Sequence, residues 1–155
     1  MRFTAIAALL LAAVASAQSS SFSKCVIYPN NTAYPTELTV TSLSLNPDPP
    51  CIGQNYCINV TGTLSTPIIN GAKLAISGRY GGRVIYTDNQ DLCTVLAASG
   101  HPCPVPITTT SLSLCVLMMT YTPPIPRNMT IEVTNGNGNR LFCQATMNLV
   151  PKKCT

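Results

Sequence analysis

Apolar and polar residues alternate along several short segments of this chain, which is the pattern of half-buried β-strands. In the segment that begins at Glu37, Leu38 and Val40 alternate with threonines, and Leu43 and Leu45 then alternate with serines. The apolar parity changes between Val40 and Leu43. This change predicts a β-bulge or a local twist within the strand.

A second strand is predicted after a turn that contains several prolines and Gly53. Its apolar members share one parity: Tyr56, Ile58, Val60 and Leu64. Asn59 has the opposite parity and opens an Asn-Val-Thr glycosylation sequon. Since a glycan must face water, we expect the side that carries Tyr56 and Ile58 to face the core.

Further alternating segments follow, separated by Gly- and Pro-rich turns. A hairpin is predicted where Gly81-Gly82 joins two of them. The predicted strands and connections are 72–80, 83–87, a polar stretch at 88–91, a loop at 93–103, and strands at 108–119, 129–133 and 141–150. No segment shows the helical period over a useful length. The chain is therefore predicted to form an all-β sandwich in one domain.

The first residues have the pattern of a secretory signal peptide. Arg2 is basic, residues 6–14 are apolar, and Ala15-Ser16-Ala17 is a small-residue cleavage signal. The apolar run is shorter than the ~20 residues that span a bilayer. We expect cleavage after Ala17, a mature domain at 18–155, and a location outside the cell or in a vacuolar or lysosome-like lumen.

Cysteine and charge content narrow the class further. Eight cysteines in an oxidising compartment predict four disulfides. A zinc site is not expected, because the chain has one histidine and no Cys-x-x-Cys pair. Charged residues make up 9% of the chain and the basic ones are scattered, which argues against nucleic acid as a partner. The small positive excess is compatible with transient contact with anionic membranes.

The residues that an enzyme would need are sparse. His101 is the single histidine, and neither Gly-x-Ser-x-Gly nor His-Glu-x-x-His occurs. Asp88 and Asp91 are close in sequence, but acids in a polar turn more often face water or cap the chain. We therefore expect a protein without catalytic residues, metal or cofactor.

Four stretches resemble one known family. They are Pro47-Asp48-Pro49-Pro50 with Gly53-Gln54 and Asn59-Val60-Thr61-Gly62; Asp91-Leu92-Cys93 with Cys103-Pro104; Pro124–Pro126; and Leu141-Phe142-Cys143 after a glycine turn. Their order is similar to that of the ML lipid-recognition family, which includes the Niemann–Pick type C sterol carrier and fungal phosphatidylglycerol/phosphatidylinositol transfer proteins. The resemblance implies an immunoglobulin-like two-sheet β-sandwich whose sheets part around an acyl chain or a sterol. It also implies the disulfides Cys25–Cys143 and Cys93–Cys103.

Two pairings remain for the other four cysteines. Cys57 and Cys115 both have the outward parity on strands expected to be antiparallel neighbours, so a bridge between them is compatible with the pattern. Cys51 would then pair with Cys154. The alternative is Cys51–Cys57 with Cys115–Cys154. We favour the first pairing.

A lipid would contact inward-facing apolar residues near one end of the sandwich. The candidates are Leu64, Leu74, Ile76, Tyr80, Met119, Tyr121, Ile125, Ile131 and Val133, with Ile85 and Tyr86 as alternatives on one strand. The family position of the pocket aromatic falls on Ile85, whereas alternation from Arg83 turns Val84 and Tyr86 inward. All of these residues are equally compatible with a filled core.

The predicted function is that of a monomeric lipid carrier without enzymatic activity. Its cargo is a sterol or a phospholipid, and its tail lies between the two sheets. Arg79, Arg83, Arg127, Lys152 and Lys153 are candidates to ring an entrance, although ordinary solvated charges explain each of them equally well. Asn30, Asn59 and Asn128 open sequons. The alternatives are a secreted recognition protein with a solid core and, least favoured, an esterase-like enzyme.

Overall fold

A computed structural model describes residues 20–155, so the predicted signal peptide and its cleavage site lie outside the described residues. In chain order, the elements are β1 (Ser23–Lys24), β2 (Val26–Ile27), β3 (Thr32–Ala33), β4 (Leu38–Asn46), β5 (Asn55–Leu64), β6 (Lys73–Tyr80), β7 (Arg83–Asp91), α1 (Leu92–Ala98), β8 (Ser111–Leu117), β9 (Arg127–Thr134) and β10 (Arg140–Leu149). Almost every element is a strand, as the alternating pattern predicts.

The long strands form two antiparallel sheets that pack face to face. The larger sheet has the order β1-β10-β9-β6-β7 and the smaller one β4-β5-β8, while β2 and β3 form a separate hairpin. β4 packs beside β10, and α1 packs against both β7 and β8. The all-β two-sheet sandwich predicted from the sequence is confirmed.

Side chains of one parity on each strand fill the space between the sheets. Tyr56 and Ile58 of β5 are fully buried, as is Ile131 of β9 on the facing sheet. The parity predicted for β5 is therefore confirmed. β4 also carries the predicted irregularity, because its pairing with β5 shifts register between Val40 and Ser42.

The structure corrects the prediction for residues 88–103. β7 continues to Asp91, beyond the predicted end at residue 87, and a short helix occupies Leu92–Ala98, where a loop was predicted. Asp91 caps this helix, since its Oδ1 accepts hydrogen bonds from the backbone N and Oγ1 of Thr94. Seven residues are too few to give a periodic helical signal. β8 is also shorter than the predicted 108–119.

Four disulfides link the described chain. They join Cys25 to Cys143, Cys51 to Cys154, Cys57 to Cys115, and Cys93 to Cys103, and no free cysteine remains. These are the pairs favoured from the sequence. Cys57 and Cys115 lie directly opposite each other on β5 and β8. The rival pairing, Cys51 with Cys57 and Cys115 with Cys154, is therefore excluded in this structure.

Glu37 ties the two sheets together at one end of the sandwich. It precedes β4 of the smaller sheet, yet its carboxylate accepts hydrogen bonds from the β9–β10 connection of the larger sheet: Asn135 Nδ2 at 2.7 Å, Asn137 Nδ2 at 2.8 Å and Asn139 Nδ2 at 2.7 Å. Partial burial raises the pKa of Glu37. The hydrogen bonds outweigh that effect and lower the pKa to about 2.

We expect Glu37→Gln to destabilise the protein by about 2 kcal/mol at neutral pH, because the carboxylate accepts charge-assisted hydrogen bonds. The pKa is lowered in the folded state, so this contribution is present above pH 4.5 and is lost as the pH falls towards about 2. Urea unfolding of both proteins between pH 2 and pH 7 measures the difference. A difference that does not shrink below pH 4 contradicts this account.

Candidate functional site

The two ends of the sandwich differ in how they are closed. At the end that carries Glu37, hydrogen bonds join the sheets and α1 packs against β7 and β8. The opposite end is formed by the starts of β5, β7 and β9 and by the ends of β6, β8 and β10. We call it the Arg127 end. The connection 118–126, which leads from β8 to β9, borders the gap between the sheets there.

The sheets are free to separate at the Arg127 end, on the side of β7 and β8. β7 pairs only with β6 and β8 only with β5, so both are edge strands among the described residues. Cys57–Cys115 lies within the smaller sheet and Cys25–Cys143 ties β10 to the segment after β1. No disulfide joins a strand of one sheet to a strand of the other.

Most of the predicted lining residues lie in the core between the sheets. Six are buried there: Leu64, Leu74, Ile76, Tyr86, Ile131 and Val133. Three are half-buried: Ile85, Met119 and Ile125. The buried side chains are almost inaccessible to water, so they fill the space that a lipid tail would occupy. A bound tail therefore requires these side chains to move apart.

The inward orientation predicted for two tyrosines is wrong. Tyr80 is 56% exposed and Tyr121 is 71% exposed. Tyr80 follows a register shift after Gly78 at the end of β6, and Tyr121 lies in a turn of the connection 118–126. Both are at the Arg127 end, where they present aromatic surface to the outside.

The same register shift decides the orientation of β7. Tyr86 lies opposite Gly78 and is buried, whereas Val84 lies opposite Arg79 and is 48% exposed. Alternation from Arg83 predicted that Val84 and Tyr86 both face inward, so the prediction is wrong for Val84. Ile85 has the outward parity.

Arg127 is buried inside the sandwich rather than placed on its rim. It is 3% exposed, which corrects the prediction of an entrance-ring cation or a solvated charge. Its Nη2 donates a hydrogen bond to the carbonyl oxygen of Pro123, while Nε and Nη1 have no partner among the described residues. The sequence held a signal for this position, because Arg127 shares the inward parity of Met129, Ile131 and Val133 on β9.

Gly78 provides the space for this side chain. A Cβ atom at position 78 would lie 2.9 Å from Cδ of Arg127 and 3.4 Å from Cβ of Tyr86. The stem of Arg127 thus crosses β6 where β6 has no side chain. An alternation pattern that treats glycine as a neutral position does not show this packing.

Buried hydroxyl groups accompany the guanidinium. Tyr56 OH, Tyr86 OH and Thr122 Oγ1 are buried without a hydrogen-bond partner among the described residues. Burial raises the pKa of Tyr56 above its ordinary value and that of Tyr86 to about 12, and the charge of Asp88 contributes to both. Both hydroxyls are therefore protonated at neutral pH and able to donate.

The buried guanidinium has no carboxylate beside it. Asp88 also faces the interior, but its Oδ2 accepts from Nε2 of Gln90 at 2.8 Å. Within residues 20–155, the ion pair found within 4 Å is Arg140–Glu132, away from Arg127. Burial lowers the pKa of Arg127, and Tyr86 and Tyr56 raise it. An arginine nevertheless stays protonated in proteins.

A surface cleft of about 320 Å³ borders the buried guanidinium. Its wall is formed by the β6–β7 turn, by Arg127 and its neighbours on β9, and by Asn148 near the end of β10. The other four predicted rim cations, Arg79, Arg83, Lys152 and Lys153, are exposed. Arg79 and Arg83 flank that turn, and Lys152 pairs with Cys51 at the same end.

Other kinds of site are less developed in the described part of the chain. Residues 20–155 contain no cluster of three or more His, Cys, Asp and Glu side chains that could hold a metal ion. The helices described there are too short or too polar to cross a membrane. His101 follows α1 at the end of the sandwich opposite Arg127.

The fold and the site define a disulfide-linked β-sandwich of immunoglobulin type with a polar, cationic inner lip at one end. The chain belongs to the ML domain family, whose model matches residues 19–148. This confirms the family resemblance of the sequence.

Individual relatives agree with this assignment. The chain is 28% identical over 106 residues to a phosphatidylglycerol/phosphatidylinositol transfer protein of Aspergillus fumigatus, covering 68% of this chain and 61% of that protein. It is 26% identical over 112 residues to the protein of the same name from Aspergillus oryzae, covering 72% and 64%. The alignments thus span less than two thirds of the length of these relatives.

A solved structure shows the same fold. The Niemann-Pick type C2 protein from Japanese carpenter ant superposes with a TM-score of 0.61 at 13% identity, covering 81% of this chain and 96% of that one. At this identity the likeness concerns the fold alone.

Proposed function

We propose that the protein binds a lipid between its two sheets and transfers it between membranes without chemical change. The observation that carries this proposal is the membership of an ML family whose similar members include phospholipid transfer proteins. The cargo is a sterol or a phospholipid, and no cofactor takes part. The protein works as a monomer, which needs only transient contact with a membrane surface.

The structure is compatible with reversible uptake. The edge strands β7 and β8 are not joined to each other by a disulfide, so the gap between them opens without breaking a covalent bond. The apolar interior supplies the driving force, because each buried CH₂ of a tail contributes about 0.8 kcal/mol. Refilling of the core by Ile131 and its neighbours compensates when the lipid leaves.

Organic extraction of the purified protein, followed by mass spectrometry, tests this function. We expect a lipid in near-stoichiometric amount, and uptake of a fluorescent phospholipid or sterol by the delipidated protein. A protein that yields no lipid and takes up neither probe contradicts the proposal. The filled core would then favour the second candidate, a secreted recognition protein that binds another macromolecule through its loops. Ester hydrolysis is not expected.

Four disulfides suit an oxidising compartment, so we place the protein outside the cell or in a vacuolar or lysosome-like lumen. Asn30 and Asn128 are exposed, and Asn59 is half-buried with its Oδ1 accepting from Oγ of Ser113. We propose all three sequons as glycosylation sites. Peptide mass spectrometry before and after glycosidase treatment identifies those that carry a glycan.

The exposed tyrosines at the Arg127 end provide a further prediction. Replacing Tyr80 and Tyr121 together with alanine should slow lipid transfer between vesicles several-fold, because their rings are placed to enter the membrane interface. The free energy of unfolding should change by less than about 1 kcal/mol, since both side chains are exposed. A stopped-flow transfer assay with fluorescent phospholipid measures the rate.

Ile107→Ala is the matched control, because Ile107 is also exposed but lies outside the Arg127 end, before β8. It should transfer lipid at the wild-type rate. Equal rates for the control and the double tyrosine variant would contradict docking through this end. If the cations Arg79 and Arg83 assist docking, transfer to anionic vesicles should also slow as the salt concentration rises.

A further inference from the structure

We propose that Arg127 binds the acidic group of an anionic lipid, a phosphate or a carboxylate, at the inner lip of the sandwich, with Tyr86 OH and Tyr56 OH as additional donors. This inference rests on the proposed function, because it assigns the charge of the lipid that the same site accepts. Nothing in the sequence comparisons assigns a role to these three residues.

The first argument is the state of the guanidinium without a ligand. Burying an ionised group away from water is unfavourable unless a counter-charge and hydrogen bonds replace the water. Arg127 has only the carbonyl oxygen of Pro123 as an acceptor, and its Nε and Nη1 have no partner among the described residues. A bound oxyanion would provide both the negative charge and the missing acceptors.

The second argument is the set of donors that surrounds it. Tyr86 and Tyr56 have buried hydroxyl groups without partners, and the charges of both interact with Arg127. Protonated hydroxyls donate to an oxyanion as readily as a guanidinium N–H does. Thr122 carries a third buried hydroxyl in the connection that borders the gap. Unsatisfied donors of this kind are explained by a ligand that supplies the acceptor.

Asp88 limits how far the acidic group penetrates. Its carboxylate faces the same interior two residues beyond Tyr86 on β7 and opposite Ile76. Like charges repel strongly in a site from which water is excluded. The oxyanion therefore binds at the level of Arg127, next to the surface cleft, and not deeper between the sheets.

The apolar surface beyond Arg127 has a length that suits a lipid tail. Met129, Ile131 and Val133 follow on the inner face of β9, and a strand rises ~3.4 Å per residue, so this face extends about 20 Å from Arg127 to Val133. One leaflet of a bilayer has a hydrocarbon thickness of about 15 Å, half of a ~30 Å core. An anionic lipid would thus place its acidic group at Arg127 and its tail along β9.

Equilibrium binding to the delipidated full-length protein tests the proposal. The protein is incubated with vesicles that contain equal amounts of phosphatidylglycerol and phosphatidylcholine, or with oleate, and bound lipid is quantified by mass spectrometry. We expect a preference for the acidic lipids over phosphatidylcholine of at least about tenfold. Arg127→Met should abolish that preference while phosphatidylcholine binding remains. Comparison of phosphatidylglycerol with oleate shows whether phosphate or carboxylate is preferred.

Lys73→Met is the matched control, because it removes one exposed positive charge at the opposite end of the same sheet. It should keep the preference. Unfolding of the delipidated proteins adds a second readout: Arg127→Met should melt at a higher temperature than wild type, because it removes an unpaired buried charge. A residue with only a structural role would give a lower melting temperature.

Several outcomes separate failure of this inference from failure of the proposed function. If wild type binds no lipid of any kind, both are overturned. If wild type binds phosphatidylglycerol and phosphatidylcholine equally, or if Arg127→Met keeps the preference, only this inference is overturned. Thermal stabilisation by inorganic phosphate alone, equal to that by the acidic lipids, would also overturn it. Should Arg127→Met fail to fold, Tyr86→Phe must reduce the preference about threefold for the inference to stand.

Discussion

Replacement of both Cys25 and Cys143 with alanine should lower the free energy of unfolding by about 4 kcal/mol. A disulfide restricts the unfolded chain more strongly when it closes a longer loop. These two cysteines are 118 residues apart, but the bridge Cys51–Cys154 shortens the path between them. The remaining path is 26 residues from Cys25 to Cys51 and 11 from Cys143 to Cys154, 37 in all.

The pair Cys93 and Cys103 is the internal comparison. Its loop spans 10 residues, so the chain-entropy model gives a loss of about 2.5 kcal/mol for the double alanine variant. Guanidinium unfolding of both double variants, produced in an oxidising host, measures the two losses. An equal or larger loss for Cys93 and Cys103 would contradict the loop-length explanation, and would point instead to contacts that the bridge makes with α1.

The second large effect is expected at Gly62, where alanine should destabilise the protein by about 3 kcal/mol. A Cβ atom there would lie 2.3 Å from the carbonyl oxygen of Thr39 and 3.1 Å from Cδ1 of Leu38. The closest atom belongs to the backbone of β4, so relief requires the two strands to move apart at the bulge after Val40. Overpacking of this kind typically costs 1–3 kcal/mol.

Thr63→Ala is the control for this substitution, because Thr63 is exposed on the same strand and its replacement creates no close approach. We expect a change below about 1 kcal/mol for the control. Both variants are compared with wild type by urea unfolding. If Gly62→Ala were as stable as Thr63→Ala, the close packing of β4 against residue 62 would be wrong.

The local alternation of the sequence was enough to predict most of the sandwich. Side-chain direction along a strand has a period of two, so Ile58 and Val60 face the core wherever the strand is placed. The pairing of Cys57 with Cys115 also agreed with that parity. Helix α1 escaped prediction because seven residues carry too little periodic signal, although Asp91 and Thr94 marked its start.

The candidate site was predictable only in part. Buried apolar residues such as Ile131 and Val133 were found by parity. Tyr80 was misplaced because the register shift after Gly78 depends on how β6 pairs with β7, which is a relation between strands. Arg127 was assigned to the surface because an arginine is seldom buried, although its parity pointed inward.

The sequence by itself determined the strands, their inner faces and the cysteine pairs, because these depend on side-chain period and on the parity of single strands. The tertiary structure decided which end of the sandwich lacks a tie between the sheets and which side chains are buried there. Arg127 shows the physical reason. Its burial depends on the space above Gly78, on the carbonyl of Pro123 and on the facing Tyr56, three positions that only folding brings together.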